Sequence, residues 1–286
     1  MADISLTAGM RNNLLSLQQT TQLQGATQER LASGKKVNSA LDNPTNFFAA
    51  QSHNNRANDL TSRKDGMSEA VQMVKAADAG ITAITSLIEA AKGVASAALA
   101  TTSATDRNAY ATTFNTLMTQ VTQLSSDSGY RGTNLLAAGA TQTVEFAPKT
   151  NGATLQISGF SATSLGLGIT TAGSTAGITA WGDTTATTGI ATGTANIQSA
   201  ASQLETALTT LRSESSKLSA NLSVVTTRQD FTDNLINTLQ TGADNLTLAD
   251  MNKEGANMLM LQTRQQLGTT SLSMASQAAQ SVLRLF

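Results

Sequence analysis

A chain of 286 residues is long enough for one or two domains. Its formal net charge of -1 does not indicate a general affinity for nucleic acid or anionic membranes. It contains no cysteine, which excludes disulfides and thiolate metal sites. Aromatic residues make up only 3% of it, while Ala, Thr, Ser, Gln, Asn and Leu dominate. This composition is typical of long helices that pack closely through small residues.

The sequence offers little for catalysis. Its single histidine, His53, lies between Ser52 and Asn54 on a polar stretch, which is typical of a solvated side chain. No nucleophile elbow of the Gly-x-Ser-x-Gly type and no phosphate-binding Gly-x-x-x-x-Gly-Lys loop accompanies it. We therefore predict no enzyme activity, no cofactor and no metal. No run of about 18 apolar residues suggests membrane insertion, and no apolar segment near the N-terminus suggests a cleaved signal peptide.

The first predicted elements are two helices joined by a polar connector. Residues 5–33 read as an amphipathic helix that ends at Gly34, and residues 35–43 form the connector. Asn43 is the predicted N-cap of the next helix, and Pro44 suits its first turn. That helix is expected over 45–100.

This long helix carries a seven-residue repeat, which predicts a coiled-coil seam with small residues in alternate layers. The two rows of the seam are Leu60, Met67, Val74, Ile81, Ile88 and Ala95, and Ala70, Ala77, Ile84, Ala91 and Ala98.

A third helix is predicted over 105–128, and then the period changes. Its expected seam is Tyr110, Phe114, Leu117, Val121 and Leu124. Alternating apolar and polar residues at 143–146 and 154–157, separated by Asn151-Gly152, predict a β-hairpin. The Gly- and Thr-rich residues 159–195 read as a small exposed insertion of short strands or loops.

The helical period returns at 197–240, again with a seven-residue repeat. Gly242 is expected to interrupt this helix, and a last helix is expected over 247–284. The fold class is therefore mainly α: a long antiparallel coiled-coil-like bundle with paired N- and C-terminal helices and a small hairpin insertion. The predicted divisions are 1–44, 45–140, 141–196, 197–244 and 245–286. Residues predicted for the core within one subunit are Met67, Val74, Ile81, Ile88, Leu211, Leu218 and Val225.

Both end segments are richer in large apolar residues than two paired helices can bury. Residues 258–261 read Met-Leu-Met-Leu, which covers all sides of a helix. Such helices need additional partners, and copies of the same chain would supply them, so we predict a polymer subunit. The residues predicted to drive polymerisation are Leu6, Met10, Leu14, Leu17, Leu31, Leu259, Leu261, Leu272, Leu283, Leu285 and Phe286.

Several motifs in these end segments resemble the bacterial flagellin family. They are LASGKKVNSALDNP at 31–44, GYRGTNLL at 129–136, DMNKE at 250–254 and LQTRQQLG at 261–268. The resemblance covers about residues 1–140 and 200–286. The positions that carry it include Asn38, Asp42, Gly132, Asn134, Asn252 and Arg264. The residues NPTNFF at 43–48 depart from the family's more usual acidic, Ala-rich continuation.

The resemblance implies a subunit of the extracellular flagellar filament that polymerises for swimming motility. It implies export without a cleaved signal, terminal helices in an inner tube, long helices in an outer tube, and a solvent-facing middle. An export chaperone, a filament cap and hook-associated proteins would be its partners. One alternative is a hook–filament junction protein, which shares these terminal motifs. An enzyme with flagellin-like ends and a secreted helical toxin are disfavoured by the missing histidine pair and the missing membrane hairpin.

The resemblance also concerns immune recognition. In this family the flagellin-sensing Toll-like receptor grips an Arg-Glu-Leu cluster on the long N-terminal helix. Alignment on residues 65–68 places that cluster at Ile88, Glu89 and Ala90, so only the carboxylate is retained. Because Arg and large apolar side chains are frequent energetic anchors, we expect recognition to be weak.

Overall fold

The computed structural model describes residues 8–147, 152–173, 180–182 and 189–283. The elements in chain order are α1 (Ala8–Ser33), α2 (Pro44–Ala100), α3 (Ala104–Asp127), β1 (Thr141–Glu145), β2 (Thr154–Ser158), α4 (Gly189–Thr247) and α5 (Met251–Leu283). This confirms the predicted mainly α fold with one small hairpin. The chain forms two compact units. The first joins the chain up to Ala57 to the chain from Asn237 on, and the second is Asn58–Ile236.

The core of the second unit is the seam between α2 and α4. Apolar residues of α2 that recur every seven positions are buried, and Ile84 and Ile88 are 0% exposed. On α4, Leu204 and Leu211 are likewise 0% exposed. Polar pairs show that the helices run antiparallel, because the α4 residue number falls as the α2 number rises. These pairs are Lys64 with Asp233 at 2.7 Å, Asp78 with Ser215 at 2.8 Å, and Lys92 with Glu205 at 2.8 Å.

The buried face of α3 differs from the predicted seam. Its fully buried residues are Arg107, Ala111, Phe114, Met118, Val121 and Ser125. Tyr110, Leu117 and Leu124 are only partly buried at the side of this row. The prediction counted only large apolar side chains. It missed Ser125, which can be buried because its hydroxyl donates a hydrogen bond to the Leu136 carbonyl at 3.1 Å.

The hairpin forms as predicted, whereas the segment after it is more than an exposed loop. β1 pairs antiparallel with β2, with Val144 opposite Leu155. After β2, Ala162, Leu167, Ile169 and Ala172 are buried in the same core. The prediction of an exposed insertion was therefore wrong for these residues. Leu165, Leu167 and Ile169 do alternate with Gly166 and Gly168, but these glycines and the many threonines were interpreted as turns.

Trp181 is the clearest case of burial in this segment. It is 1% exposed, and its ring centroid lies 5.0 Å from that of Phe114. A Cβ at Gly193 would collide with the Trp181 carbonyl, so glycine at this position allows the backbone of Trp181 to pack closely against α4. Gly193 belongs to α4, which begins at Gly189, eight residues before the predicted start at 197.

In the first unit, α1 packs against α5, and the connector pairs with the turn between α4 and α5. The Lys36 amide donates to the Thr247 carbonyl at 2.7 Å, and the Ala249 amide donates to the Gly34 carbonyl at 2.9 Å. Gly34 has a φ of 70°, a left-handed conformation that ends α1 where the sequence predicted.

Gly242 does not interrupt α4, contrary to the prediction. The helix passes through it and ends at Thr247. An interior glycine weakens a helix by about 1 kcal/mol, which burial of the neighbouring Ala243 can offset. The break comes instead at Asp250, whose Oδ1 accepts hydrogen bonds from the amides of Asn252 and Lys253 at 3.0 and 3.2 Å. Asp250 therefore acts as the N-cap of α5.

One helix of the described part, α2, has an 18-residue window of mean hydropathy 1.3, apolar enough by length and composition to cross a membrane. This signal is weak evidence for a span, because the core helix of a bundle in water gives the same composition.

We predict that Ile84→Ala destabilises the chain by about 2–5 kcal/mol, since the change removes buried methyl groups and leaves a cavity. Chemical denaturation followed by circular dichroism measures this. Thr82→Ala, an exposed change on the same helix, is the control and should alter the free energy of unfolding by less than about 0.5 kcal/mol. Equal values for the two variants would contradict the assignment of Ile84 to the core.

Candidate assembly surface

The facing sides of α1 and α5 are closely packed but contain few large apolar groups. Thr20 and Thr27 are buried on α1, and Leu261 is 5% exposed on α5. At Gly268 an added Cβ would lie 2.7 Å from the Leu17 side chain, so the missing side chain allows a close approach. The pair therefore uses its small residues internally and leaves many of its large ones outside.

Many large apolar side chains of this helix pair remain exposed. On α1 they are Leu14, Leu15 and Leu23, and on α5, after Met251 at its first position, they are Leu259, Met260, Leu267 and Met274. Met260, Leu267 and Met274 are spaced by seven residues, so they line one face of α5. Exposed apolar patches on this scale mark interaction sites. We call these seven residues the assembly surface.

The structure places the residues predicted for polymerisation in three environments. Leu14 and Leu259 are exposed on the assembly surface, and Leu261 is buried inside the pair. Partly buried are Met10, Leu17, Leu31 and Leu272. Outside the described residues are Leu6, Leu285, Phe286 and the side chain of Leu283.

Two residues of the assembly surface, Leu15 and Leu23, were missed from the sequence, because they give no regular signal. Met260, Leu267 and Met274 belong to the apolar C-terminal stretch that was expected to need partners, but they were left out of the residues predicted to drive polymerisation despite their seven-residue spacing. The run at 258–261 was expected to be buried on all sides only when neighbouring copies are present. In the chain by itself only Leu261 is buried, while Leu259 is 67% and Met260 56% exposed.

A buried carboxylate lies between α1 and α5. Glu254 is 8% exposed, and its Oε1 lies 3.5 Å from Nη1 of Arg30. Its Oε2 is buried without a hydrogen-bond partner among the described residues. Since a shift of one helix against the other would leave this charge unpaired, the pair opposes slippage of the two helices.

The connector contains a tight turn built on Asp42. Its Oδ2 accepts hydrogen bonds from the backbone amides of Ser39 and Asn38, both at 2.9 Å, and from the Ser39 hydroxyl at 3.3 Å. The Ser39 and then the Asn38 amide hold the pKa of the Asp42 carboxyl below its ordinary value, because both stabilise the ionised form. The side chain of Asn38 also donates a hydrogen bond, from Nδ2 to the Ser33 hydroxyl at 3.1 Å.

The other family motif positions in the second unit build the turn after α3. Asn134 Nδ2 donates to the Ser125 carbonyl at 2.7 Å, which satisfies the end of α3. Gly132 has a φ of 84°, which requires glycine. Next to it, Arg131 lies 2.9 Å from Glu69, and this guanidinium lowers the pKa of the Glu69 carboxyl. On α5, the amide of Asn252 takes part in the cap at Asp250, and Arg264 is exposed.

The seven residues predicted for the core within one subunit are all buried in the second unit: Met67, Val74, Ile81, Ile88, Leu211, Leu218 and Val225.

This burial corrects the assignment of Ile88 to a receptor-facing surface. Ile88 is 0% exposed, because its place in the seven-residue repeat turns it into the seam. Glu89 and Ala90 are exposed beside it. The position aligned with the family's arginine is therefore not on the exposed side of α2.

Within the described residues, no group of three His, Cys, Asp or Glu side chains could hold a metal ion.

Comparison with known proteins decides the family. Residues 4–141 match the model of the bacterial flagellin N-terminal helical region, and residues 201–286 match that of the C-terminal helical region. The chain belongs to the bacterial flagellin family. Between the two matched regions lie the rest of the hairpin, the segment with Trp181 and the start of α4.

Individual relatives agree along the whole length. This flagellin is 30% identical to flagellin FljO of Caulobacter vibrioides over 99% of the chain and 98% of that relative. It is 27% identical to a flagellin of Brucella melitensis over 100% of the chain and 99% of the relative. Among solved structures, that of Bacillus cereus flagellin is similar with a TM-score of 0.46 and 14% identity, covering 58% of this chain and 88% of the other.

We predict that Asp42→Ala accelerates hydrogen exchange at the amides of Asn38 and Ser39, which lose their acceptor. Asp65→Ala, at an exposed position of α2, is the control and should leave both rates unchanged. NMR-detected exchange measures the rates.

The protection of the Asn38 and Ser39 amides in this turn should also depend on pH. The pKa of the Asp42 carboxyl is lower in the folded chain than in the unfolded chain, so its contribution to the stability of the turn is fully present above the unfolded pKa. It is lost as the pH falls through the folded pKa. Unchanged protection of both amides in Asp42→Ala would show that the carboxylate does not hold the turn.

Proposed function

We propose that this flagellin is a structural subunit whose assembly surface is buried by neighbouring copies when it polymerises into the flagellar filament. The observation that carries the proposal is the exposed stripe of Met260, Leu267 and Met274 on a helix whose other side is already packed. Together with the flagellin family assignment, it favours assembly over catalysis as the function of this chain.

Burial of apolar area would drive the assembly. Each large apolar side chain moved out of water contributes about 1.5–3 kcal/mol. Seven such side chains are exposed on the assembly surface. Because these side chains are between 42% and 67% exposed, little more than half of that gain is available, about 6–12 kcal/mol in total. This is comparable to the roughly 4–15 kcal/mol that association costs in lost translational and rotational freedom, so the exposed apolar side chains of α1 and α5 would favour a concentration-dependent polymer.

The polymer would be open rather than closed. A surface that binds a different surface of the next copy propagates in one direction, and it forms a helix when the rotation does not return to the start. We propose that α1 and α5 line the inner tube of the filament and that the long helices α2 and α4 form the outer tube. The part between β1 and α4, which neither family model matches, would face solvent.

Further partners follow only from the family. We propose that an export chaperone covers the assembly surface before secretion, that export needs no cleaved signal, and that the filament cap and hook-associated proteins bind the same terminal helices. Toll-like receptor recognition would be weak, since of the three aligned residues Ile88 is buried and Ala90 is small, which leaves only the exposed Glu89.

The hook–filament junction alternative has less support. The relatives described above are named flagellins. A junction protein would form short assemblies of few copies, so electron microscopy of the purified, assembled chain distinguishes the two. Fibres of micrometre length support the filament subunit.

We predict that Leu259→Asp blocks filament growth and leaves the monomer's melting temperature unchanged. Leu259 is 67% exposed in the chain, so the new carboxylate would be desolvated only in the polymer, at a cost of several kcal/mol. Seeded growth followed by light scattering measures this, and the critical concentration should rise more than about tenfold.

Leu165→Asp is the matched control, because Leu165 is an exposed leucine of the second unit that is 82% accessible. It should assemble normally. Growth of Leu259→Asp at the unmodified rate would contradict the proposal, and so would a large fall in its monomer melting temperature.

A further inference from the structure

A leucine on the connector is held almost entirely in water. Leu41 is 96% exposed. It lies in the turn that the Asp42 carboxylate closes, and its own amide donates to the Ser39 hydroxyl at 3.3 Å. A flexible loop would let such a side chain fold back onto the protein. The hydrogen bonds to Asp42 instead fix the turn, so Leu41 is displayed as a preorganised apolar knob.

The second unit has a groove along the seam of α2 and α4, with walls formed mainly by Ser and Thr side chains. Its volume is about 500 Å³. Ile81 and Leu211, both nearly inaccessible, form its floor, and Thr82, Ser216 and Ser219 belong to its walls. Arg212 lines the same groove and is exposed. The site thus combines a small apolar floor with a single cation.

We infer that the Leu41 turn of one copy docks in the α2–α4 groove of a neighbouring copy in the filament. Leu41 would reach the apolar floor. The Asp42 carboxylate beside it binds its own turn through Oδ2, which leaves Oδ1 to accept from Arg212 of the neighbour. Within the described residues, Arg212 has no ion pair of its own. The inference rests on the proposed function.

Two features argue that the occupant is a second copy. The knob and the groove are different surfaces, and a contact between different surfaces propagates as an open polymer. The connector also continues directly from the end of α1, whose exposed leucines belong to the assembly surface. Docking of the turn would extend the same interface.

A second apolar patch on α4 is a poorer receptor for the knob. Val224 and Phe231 are 45% and 58% exposed and are spaced by seven residues. Asp230 is exposed next to Phe231, so this patch would repel the carboxylate of Asp42. The nearby cation, Arg228, already lies over the Phe146 ring at 5.2 Å. The groove also has a carboxylate at its edge, because Asp78 accepts a hydrogen bond from Ser215 at 2.8 Å. It differs from the α4 patch in offering an exposed cation, Arg212, that has no ion pair among the described residues.

Cysteine cross-linking tests the contact, because the chain has no cysteine to interfere. Filaments of the double variant Leu41→Cys with Ser216→Cys are oxidised, and the products are separated by denaturing gel electrophoresis. We expect a ladder of covalent multimers, since disulfides form only when the two Cβ atoms come within about 4.5 Å. Leu41→Cys with Phe231→Cys is the matched control and should stay monomeric.

Other results would overturn the inference: a ladder only in the Phe231 control, no ladder from filaments, or a link within one chain. Filament formation by the unmodified chain is checked first by electron microscopy. If that fails, the proposed function fails, whereas intact filaments without the expected ladder refute only the docking contact.

A second variant keeps the test decisive if cysteines impair assembly. Arg212→Glu should raise the critical concentration about tenfold, with an unchanged monomer melting temperature, because a carboxylate would then face Asp42. Lys75→Glu reverses an exposed charge on α2 outside the groove and should assemble normally. An unchanged critical concentration for Arg212→Glu would contradict the contact.

Discussion

The antiparallel seam between α2 and α4 is the interaction on which the rest of the second unit depends. It joins two helices far apart in sequence through alternating layers of large and small apolar residues, such as Ile84 and Ala77. Polar pairs within it, for example Gln229 with Ser68 at 2.9 Å, favour a single register. Once this seam is fixed, α3, the hairpin and the Trp181 segment have a surface to pack on.

The terminal helix pair, unlike the α2–α4 seam, buries few large apolar residues. Its internal contact buries Thr20, Thr27 and the charged Glu254, which stabilise a register more than they supply hydrophobic energy. Apart from Leu261, which is buried, the large apolar residues of the pair remain partly or largely exposed. A pair of this kind is only weakly stable alone and gains stability from copies, because any ligand that binds the folded state stabilises it by mass action. The α2–α4 core therefore stabilises the single chain, whereas the exposed apolar residues of α1 and α5 are available for contacts with other copies.

Regular periods in the sequence predicted most of the fold. The seven-residue repeats of α2 and α4, the cap at Asn43 and the hairpin were all visible. The errors arose where glycine or a polar side chain outweighed the apolar pattern. The alternation that ends at Ile169 was attributed to turns, the buried hydroxyl of Ser125 was overlooked, and Gly242 was expected to break a helix that tolerates it. The assembly surface was predicted only in part, since composition shows that apolar residues are in excess but not which of them remain exposed after α1 and α5 pair.

Hydrogen exchange of monomer and filament, measured by mass spectrometry, tests this division most directly. The account predicts that peptides from α1 and α5 exchange rapidly in the monomer and become strongly protected in the filament. Peptides from the α2–α4 seam between Asn58 and Ile236 should be protected in both states. Equal protection of α1 and α5 in monomer and filament would contradict the claim that neighbouring copies bury their exposed face.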